Sequence, residues 1–185
     1  MKQKMPAAIE RFVVHWGEMG EVWGVNRSVA QIQALLYVAE RPLAAEDIAE
    51  RLRLARSNVS TSLRELLSWS LIRRVPVLGD RRDYYEAEAD MFEMVRRIAQ
   101  GRKAREIDPA IAVLRACVTD TRGDPRISDA VRVRFQSMLE FTESVGRSFD
   151  EIMRLPTPVL ARLIKMGGAV ARFVGASKAK KPAKR

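Results

Sequence analysis

Residues 44–88 read AAEDIAERLRLARSNVSTSLRELLSWSLIRRVPVLGDRRDYYEAE, and this stretch decides the fold. Its first part has helical period. A helix over about Ala45–Leu52 turns Ile48, Ala49 and Leu52 to one side, and Arg53-Leu54-Ala55 makes a short turn with Leu54 inward. A second helix follows. Stepping 100° per residue from Val59 gathers Val59, Leu63, Leu66 and Leu67 into a core-facing stripe. The opposite side carries Ser57, Thr61, Arg64, Glu65 and Ser68, with Asn58 and Ser60 on the flanks. After Trp69 the period shortens. Two extended runs on either side of Gly79-Asp80 form a hairpin tipped by Arg81 and Arg82.

The face of the second helix is chemically unusual. Solvated helix surfaces favour Glu, Lys and Gln, because Ser, Thr and Asn are weaker helix formers. Small hydroxyls let a helix approach a groove closely, Asn pairs with adenine, and Arg pairs with guanine or a phosphate. Two arginines on a hairpin tip are placed for a minor groove or its phosphates, with Asp80 and Asp83 able to orient them. Taken singly, each feature also fits an ordinary solvated helix or turn. Together they describe a winged helix-turn-helix. The expected DNA contacts are Arg56, Ser57, Asn58, Ser60, Thr61, Arg64, Arg81 and Arg82. Between Arg51 and Arg82 eight arginines face only Glu65 and Asp80, a net +6 that suits double-stranded DNA as partner.

Outward from this module the chain is helical. Ile9, Phe12, Val13, Trp16, Met19, Gly20 and Trp23 stripe a helix over Ala7–Trp23, and a second runs over Val29–Ala39 behind an Asn26-Arg27-Ser28 cap. The aromatic stripe packs a core. Its sharper alternative is a pocket in which Trp16, Trp23 and Tyr37 hold a small cationic effector by cation–π contact. Arg41-Pro42-Leu43 breaks the Val29–Ala39 helix and is expected to supply a short strand beside the wing.

Asp90 and Glu93 have capping-box spacing at the start of the next helix. Asp108-Pro109 and Asp124-Pro125 repeat the pattern of an N-cap followed by a first-turn proline. The helix after Asp124 is expected to run to about Met153 with a near-heptad seam of Val131, Phe135, Met138, Thr142, Val145, Phe149 and Ile152. Thr157-Pro158 opens a last helix that breaks or kinks at Gly167-Gly168. A seam of this kind pairs with a second copy, so the chain is expected to form a homodimer.

The fold class expected is therefore mainly α with a small β-hairpin wing. Residues 1–88 form the winged helix-turn-helix, 89–175 a helical dimerisation region, and 176–185 a disordered basic tail. Net charge is +10, and the last nine residues supply +5 of it. A nucleoid-type binder using that tail, or a winged helix serving as a protein-interaction module, are the alternatives to a sequence-specific regulator. One cysteine, Cys117, and one histidine, His15, leave no disulfide and no multi-histidine metal site, so neither metal nor cofactor is expected. Phosphate-loop and nucleophile-elbow motifs are absent, which argues against an enzyme. Without a signal-peptide pattern or a membrane-length apolar run, a cytoplasmic protein is expected.

Four segments carry a family likeness. RFVVHWGEMGEVWGVNRSVAQIQALLYV (11–38), RSNVSTSLRELLSW (56–69), LIRRVPVLGDRRDYYEAE (71–88) and REIDPAIAVLR (105–115) resemble the GbsR-type branch of the MarR-like transcriptional regulators, over about residues 7–118. The resemblance implies a dimer that binds operator DNA and usually represses transcription. It makes Ser57–Trp69 the recognition helix and matches Asp80-Arg81-Arg82 to the acidic-x-Arg wing. Some members sense choline or related osmoprotectants in an aromatic pocket. Departures are local: Arg53 and Ser70 stand where Gly is usual, and Ala44 and Ala55 where Ser is usual before each helix.

Overall fold

The computed structural model describes the backbone of residues 5–178 and the side chains of residues 5–167. The elements run α1 (Ala7–Val22), α2 (Arg27–Tyr37), β1 (Leu43–Ala44), α3 (Ala45–Leu52), α4 (Arg56–Ser68), β2 (Ile72–Val77), β3 (Asp80–Ala87), α5 (Met91–Arg102), α6 (Asp108–Asp120), α7 (Asp129–Met153) and α8 (Thr157–Lys178). A π-helical turn, Lys103–Ile107, joins α5 to α6. The chain divides into two units, one ending at Gly101 and the other beginning at Arg102.

The first unit is built round α2. Ile32, Ala34, Leu35 and Leu36 are buried there against Val13 of α1, Ile48 of α3, Val59, Leu63 and Leu66 of α4, and Leu71, Ile72 and Tyr85 of the sheet. Gly20 lets α1 lie directly on α2, since a Cβ at that position would come within 2.5 Å of the Ala30 Cβ. Asn26 caps α2 by accepting a hydrogen bond from the Ser28 N–H at 2.9 Å. The sheet is antiparallel with β3 in the middle, in the order β1-β3-β2. Leu43 pairs with Tyr85 and Ile72 with Ala87, and the β2–β3 register shifts between Val75 and Val77, where Pro76 has no N–H to give the ladder.

Three helices of this unit end in the same way. After α1 the Val25 N–H reaches the Gly20 carbonyl (2.8 Å) and the Gly24 N–H that of Glu21 (3.0 Å). After α3 the Leu54 N–H reaches Ala49 (3.0 Å), and after α4 the Leu71 N–H reaches Leu66 (3.0 Å). These are Schellman closures, which need a left-handed residue and turn the next apolar side chain inward. Gly24 suits the first, with φ +74°. The other two fall on Arg53 and Ser70, both at φ +55°, the positions where the sequence departs from glycine.

α5 belongs to the first unit, so the boundary falls beyond residue 88, the expected limit of the first domain. Met94 is buried in its core and Ile98 packs against it. Gln33 reaches Met94 Sδ at 2.7 Å. Arg97 binds α5 to the root of the wing, pairing with Glu93 (2.9 Å) and Glu88 (3.0 Å) and donating to the Ser70 carbonyl. The expected capping box is half present. Asp90 accepts from the N–H groups of Phe92 (2.8 Å) and Glu93 (3.2 Å). The reciprocal bond to the Asp90 N–H comes from Glu88 (3.1 Å), because Arg97 and Arg96 hold the Glu93 carboxylate.

The second unit corrects three sequence expectations. Asp108 is not an N-cap, because the π-helical turn Lys103–Ile107 leads straight into α6 and Ile107 already has helical backbone angles. Pro109 has no N–H for an intrahelical bond, and the wide turn just before it accommodates that loss. Asp124-Pro125 does not start α7, whose N-cap is Ser128. The Asp124 carboxylate is taken by the Arg126 N–H (2.9 Å) and its guanidinium (2.7 Å), forming a turn. That pair holds the Asp124 carboxyl below its ordinary pKa. α8 continues to Lys178 through Gly167-Gly168, where a break or kink was expected.

The expected seam on α7 also divides. Leu139 and Gly146 are the buried positions, Phe135, Thr142 and Phe149 are half-buried, and Val131, Met138, Val145 and Ile152 are exposed beside Phe141. The last turn of α8 occupies 176–178, and the expected tail over 179–185 lies outside the described residues. Among the described residues no helix is long and apolar enough to cross a membrane.

Candidate nucleic-acid interface

α4 presents the face its sequence foretold. Val59, Leu63 and Leu66 are buried, while Arg56, Ser57, Asn58, Ser60, Thr61 and Arg64 are all exposed. Arg64 lies along the helix, its guanidinium donating to Thr61 Oγ1 at 3.2 Å and its Nε reaching the Ser60 carbonyl at 3.5 Å. A cation is thereby laid over a row of hydroxyls. Neither Ala44 nor Ala55 gives a side-chain cap to the helix it precedes. The first N–H groups of α4 are left for other acceptors.

Asn58 is occupied within the fold. Its Nδ2 donates to Ser28 Oγ at 2.9 Å, and its Oδ1 accepts from the buried Ser62 hydroxyl at 3.3 Å. With the Asn26 cap this makes a polar chain from the start of α2 across to α4. Sequence reasoning missed Ser28 and Ser62 as members of it. A buried hydroxyl on an otherwise apolar face was the available signal, since such a group needs a partner.

The wing separates its two tip arginines. Asp80 accepts from the Arg82 N–H (2.9 Å), from the Arg82 guanidinium (2.7 Å at Nη2) and from the Tyr84 hydroxyl (2.7 Å). Arg82 Nη2 also donates to the Tyr84 oxygen (2.6 Å), and its guanidinium lies 5.2 Å from the Tyr84 ring centroid. The hydrogen bonds from Arg82 hold the Asp80 carboxyl far below its ordinary value, and the same contact raises the Arg82 guanidinium. The bond to Asp80 holds the Tyr84 hydroxyl above its ordinary value. Tyr84 is thus a third member of the expected Asp80–Arg82 pair, and beyond its alternation on β3 nothing in the sequence marks it. The other acid, Asp83, lies 3.6 Å from Arg74. Arg81 is exposed and has no ion-pair partner among the described residues.

The three aromatic residues expected to line an effector pocket are Trp16, Trp23 and Tyr37. Trp16 packs on Phe12 with ring centroids 5.5 Å apart and leans on the core, as Tyr37 does. Trp23 sits at the end of α1 with 54% of its surface exposed. A cleft along α1, lined by Phe12, Val14, His15 and Glu18 among others, includes none of the three. Among the described residues no group of His, Cys, Asp and Glu could hold a metal ion.

Residues 23–83, the winged-helix part, match the model of the MarR family. Two curated relatives come from Bacillus subtilis strain 168. The HTH-type transcriptional regulator YvaV is 23% identical over 86 residues, 46% of this chain and 49% of that protein. The HTH-type transcriptional repressor OpcR is 21% identical over 86 residues, 46% of each chain. This chain spans about half the length of these relatives. A crystal structure of a transcriptional regulator superposes with a TM-score of 0.61 and 22% identity, covering 79% of this chain and 95% of that one. Residues 23–83 form a MarR-like winged helix, and these similar proteins are regulators of transcription.

Proposed function

We propose that this chain is a sequence-specific DNA-binding transcriptional regulator of the GbsR type, a repressor that works as a homodimer. The observation that carries this is the joint geometry of α4 and the wing. One module exposes Arg56, Ser57, Ser60, Thr61 and Arg64 on a single helix face and Arg81 on the adjoining hairpin. α4 enters the major groove, where Thr61 and Arg64 meet base edges and Arg56 and Ser57 meet phosphates. Arg81 reaches the minor groove. Arg82, tied to Asp80 and Tyr84, stiffens the hairpin and presents its outer edge to the backbone. Asn58 contributes by fixing α4 on α2, and it meets a base only by exchanging its bond to Ser28. Similarity to a named repressor supports the sign of regulation.

The exposed apolar face of α7 supports the dimer, since a second copy would cover Met138, Phe141, Val145 and Ile152. Two copies would present two copies of α4 to a two-fold site about one helical turn of DNA apart. The effector reading rests on the aromatic residues Trp16, Trp23 and Tyr37, of which Trp23 is about half exposed.

The test is a titration of the purified protein against DNA from upstream of its own gene and against a scrambled duplex, at two salt concentrations. A preference of about a thousandfold or more is expected. Equal and steeply salt-dependent binding to both duplexes would instead mark a nucleoid-type binder. Binding to neither would move the weight to a protein-interaction module. Choline added to the specific complex releases the DNA if the effector reading holds.

A further inference from the structure

In the second unit α6 and α7 lie side by side and leave between them a cleft of about 340 Å³. Gly146 is buried at its floor, where an added Cβ would sit 3.4 Å from Ile111 Cδ1. The charged residues along the walls are segregated. At one end Lys103, projecting from the π-helical turn, donates to Asp108 at 2.7 Å and lies 3.3 Å from Asp150. Two carboxylates share one ammonium there. At the other end Glu143 lies between Arg115 at 2.7 Å and Arg147 at 3.7 Å, so two guanidiniums share one carboxylate. The cleft is neutral in sum, with one negative charge in excess at the first end and one positive charge at the second. Lys103 is only 14% exposed, whereas the other charged groups, Glu143 excepted, present about half or more of their side chains to solvent.

An ion-pair lace between two helices has no need of this separation or of a cavity. A π-helical turn is an uncommon feature that recurs at functional sites, and here it supplies the most enclosed charge. The spacing also sets the ligand. Asp108 to Arg115 and Glu143 to Asp150 are each seven residues, about 10 Å along a helix. A charge-assisted hydrogen bond of about 2.8 Å at each end leaves about 5 Å between the charged groups of a ligand.

We propose that this cleft binds a small extended zwitterion, its ammonium against Asp108 and Asp150 and its carboxylate against Arg115 and Arg147. Ligands of this class have the length of an ω-amino acid or a dipeptide. An α-amino acid is too short to reach both ends, and a simple cation or anion satisfies only one.

The experiment is calorimetric titration of the full chain, without DNA, with δ-aminovalerate as probe and glycine, valerate and pentylamine as controls. Saturable binding of δ-aminovalerate, at least tenfold tighter than any control, is expected. Arg147→Glu, a change at an exposed side chain, weakens that binding about tenfold or more, and Arg147→Lys restores most of it. No binding of δ-aminovalerate, equal binding of the four compounds, or an unchanged affinity in Arg147→Glu would overturn the proposal. None of these readouts depends on whether the chain binds DNA.

Discussion

The two units handle apolar surface in opposite ways. In the first, α2 is surrounded, and the buried cluster runs without interruption from Val13 to Met94. In the second, few apolar side chains are buried, Val118, Leu139 and Leu160 among them, while Val113, Val133, Met138, Phe141, Val145 and Ile164 face outward. Burial contributes about 25 cal/mol per Å² of apolar surface. The first unit gains that within one chain. The second has much of it still to gain from another surface, so its stability should depend on protein concentration while that of the winged helix does not.

The largest effect that would test this contrast is in the first core. Ile32→Ala, at a fully buried site, should cost about 2–5 kcal/mol by chemical denaturation. A loss below about 1 kcal/mol would mean the cluster is less tightly packed than it is here. Next comes Phe141→Asp, at a side chain 70% exposed, which should leave a dilute sample folded yet raise the dissociation constant of the proposed dimer by about ten- to a hundredfold in analytical ultracentrifugation. An unchanged constant would place the dimer contact elsewhere.

On the wing and on α4, Arg81→Ala, Arg82→Ala and Arg64→Ala should each weaken operator binding about tenfold without loss of helical signal. Arg82→Ala differs from the other two, because it also frees Asp80. In the intact wing the Asp80 carboxyl titrates below its ordinary 3.8. A depressed pKa means the contribution is fully present above that value and is lost only as pH falls below it. Carbon-detected NMR titration should therefore find Asp80 ionised well into acid in the parent chain and moved back towards 3.8 in Arg82→Ala. The smallest effect is at the helix ends. Arg53→Gly relieves a left-handed backbone and should stabilise the first unit by about 1 kcal/mol, raising its melting temperature by several degrees.

Much of the interface was legible in the sequence because it depends on period and on local chemistry. The exposed face of α4 follows from a 100° step, and Arg53 and Ser70, both left-handed, stood out only through the resemblance, as places where Gly is usual. What was not legible is competition for side chains. Asp124 and Glu93 have the spacing of caps, yet Arg126 and Arg97 sit close enough to claim their carboxylates. Asp108-Pro109 reads as a helix start because a straight α-helix rejects proline, and a π-helical turn changes that rule. Asn58 lies on the exposed flank of α4 by the helical wheel, and only the packing of α2 brings Ser28 within its reach. The seam on α7 was recognised as a period, but period alone does not say which of its members face α6 and which face outward.

The shifted register at Val75–Val77 has a consequence for the protein in concentrated solution. β3 is paired on both sides, so β2 keeps one open edge, the usual point at which sheets of separate molecules join. The register shift at Pro76 twists that edge, and Arg73 and Arg74 charge the strand. The hairpin can extend from the body, ready to meet a polyanion, without recruiting a strand from its neighbour. Pro76→Val would remove the irregularity and straighten the edge, and the wing would then be the place where aggregation begins.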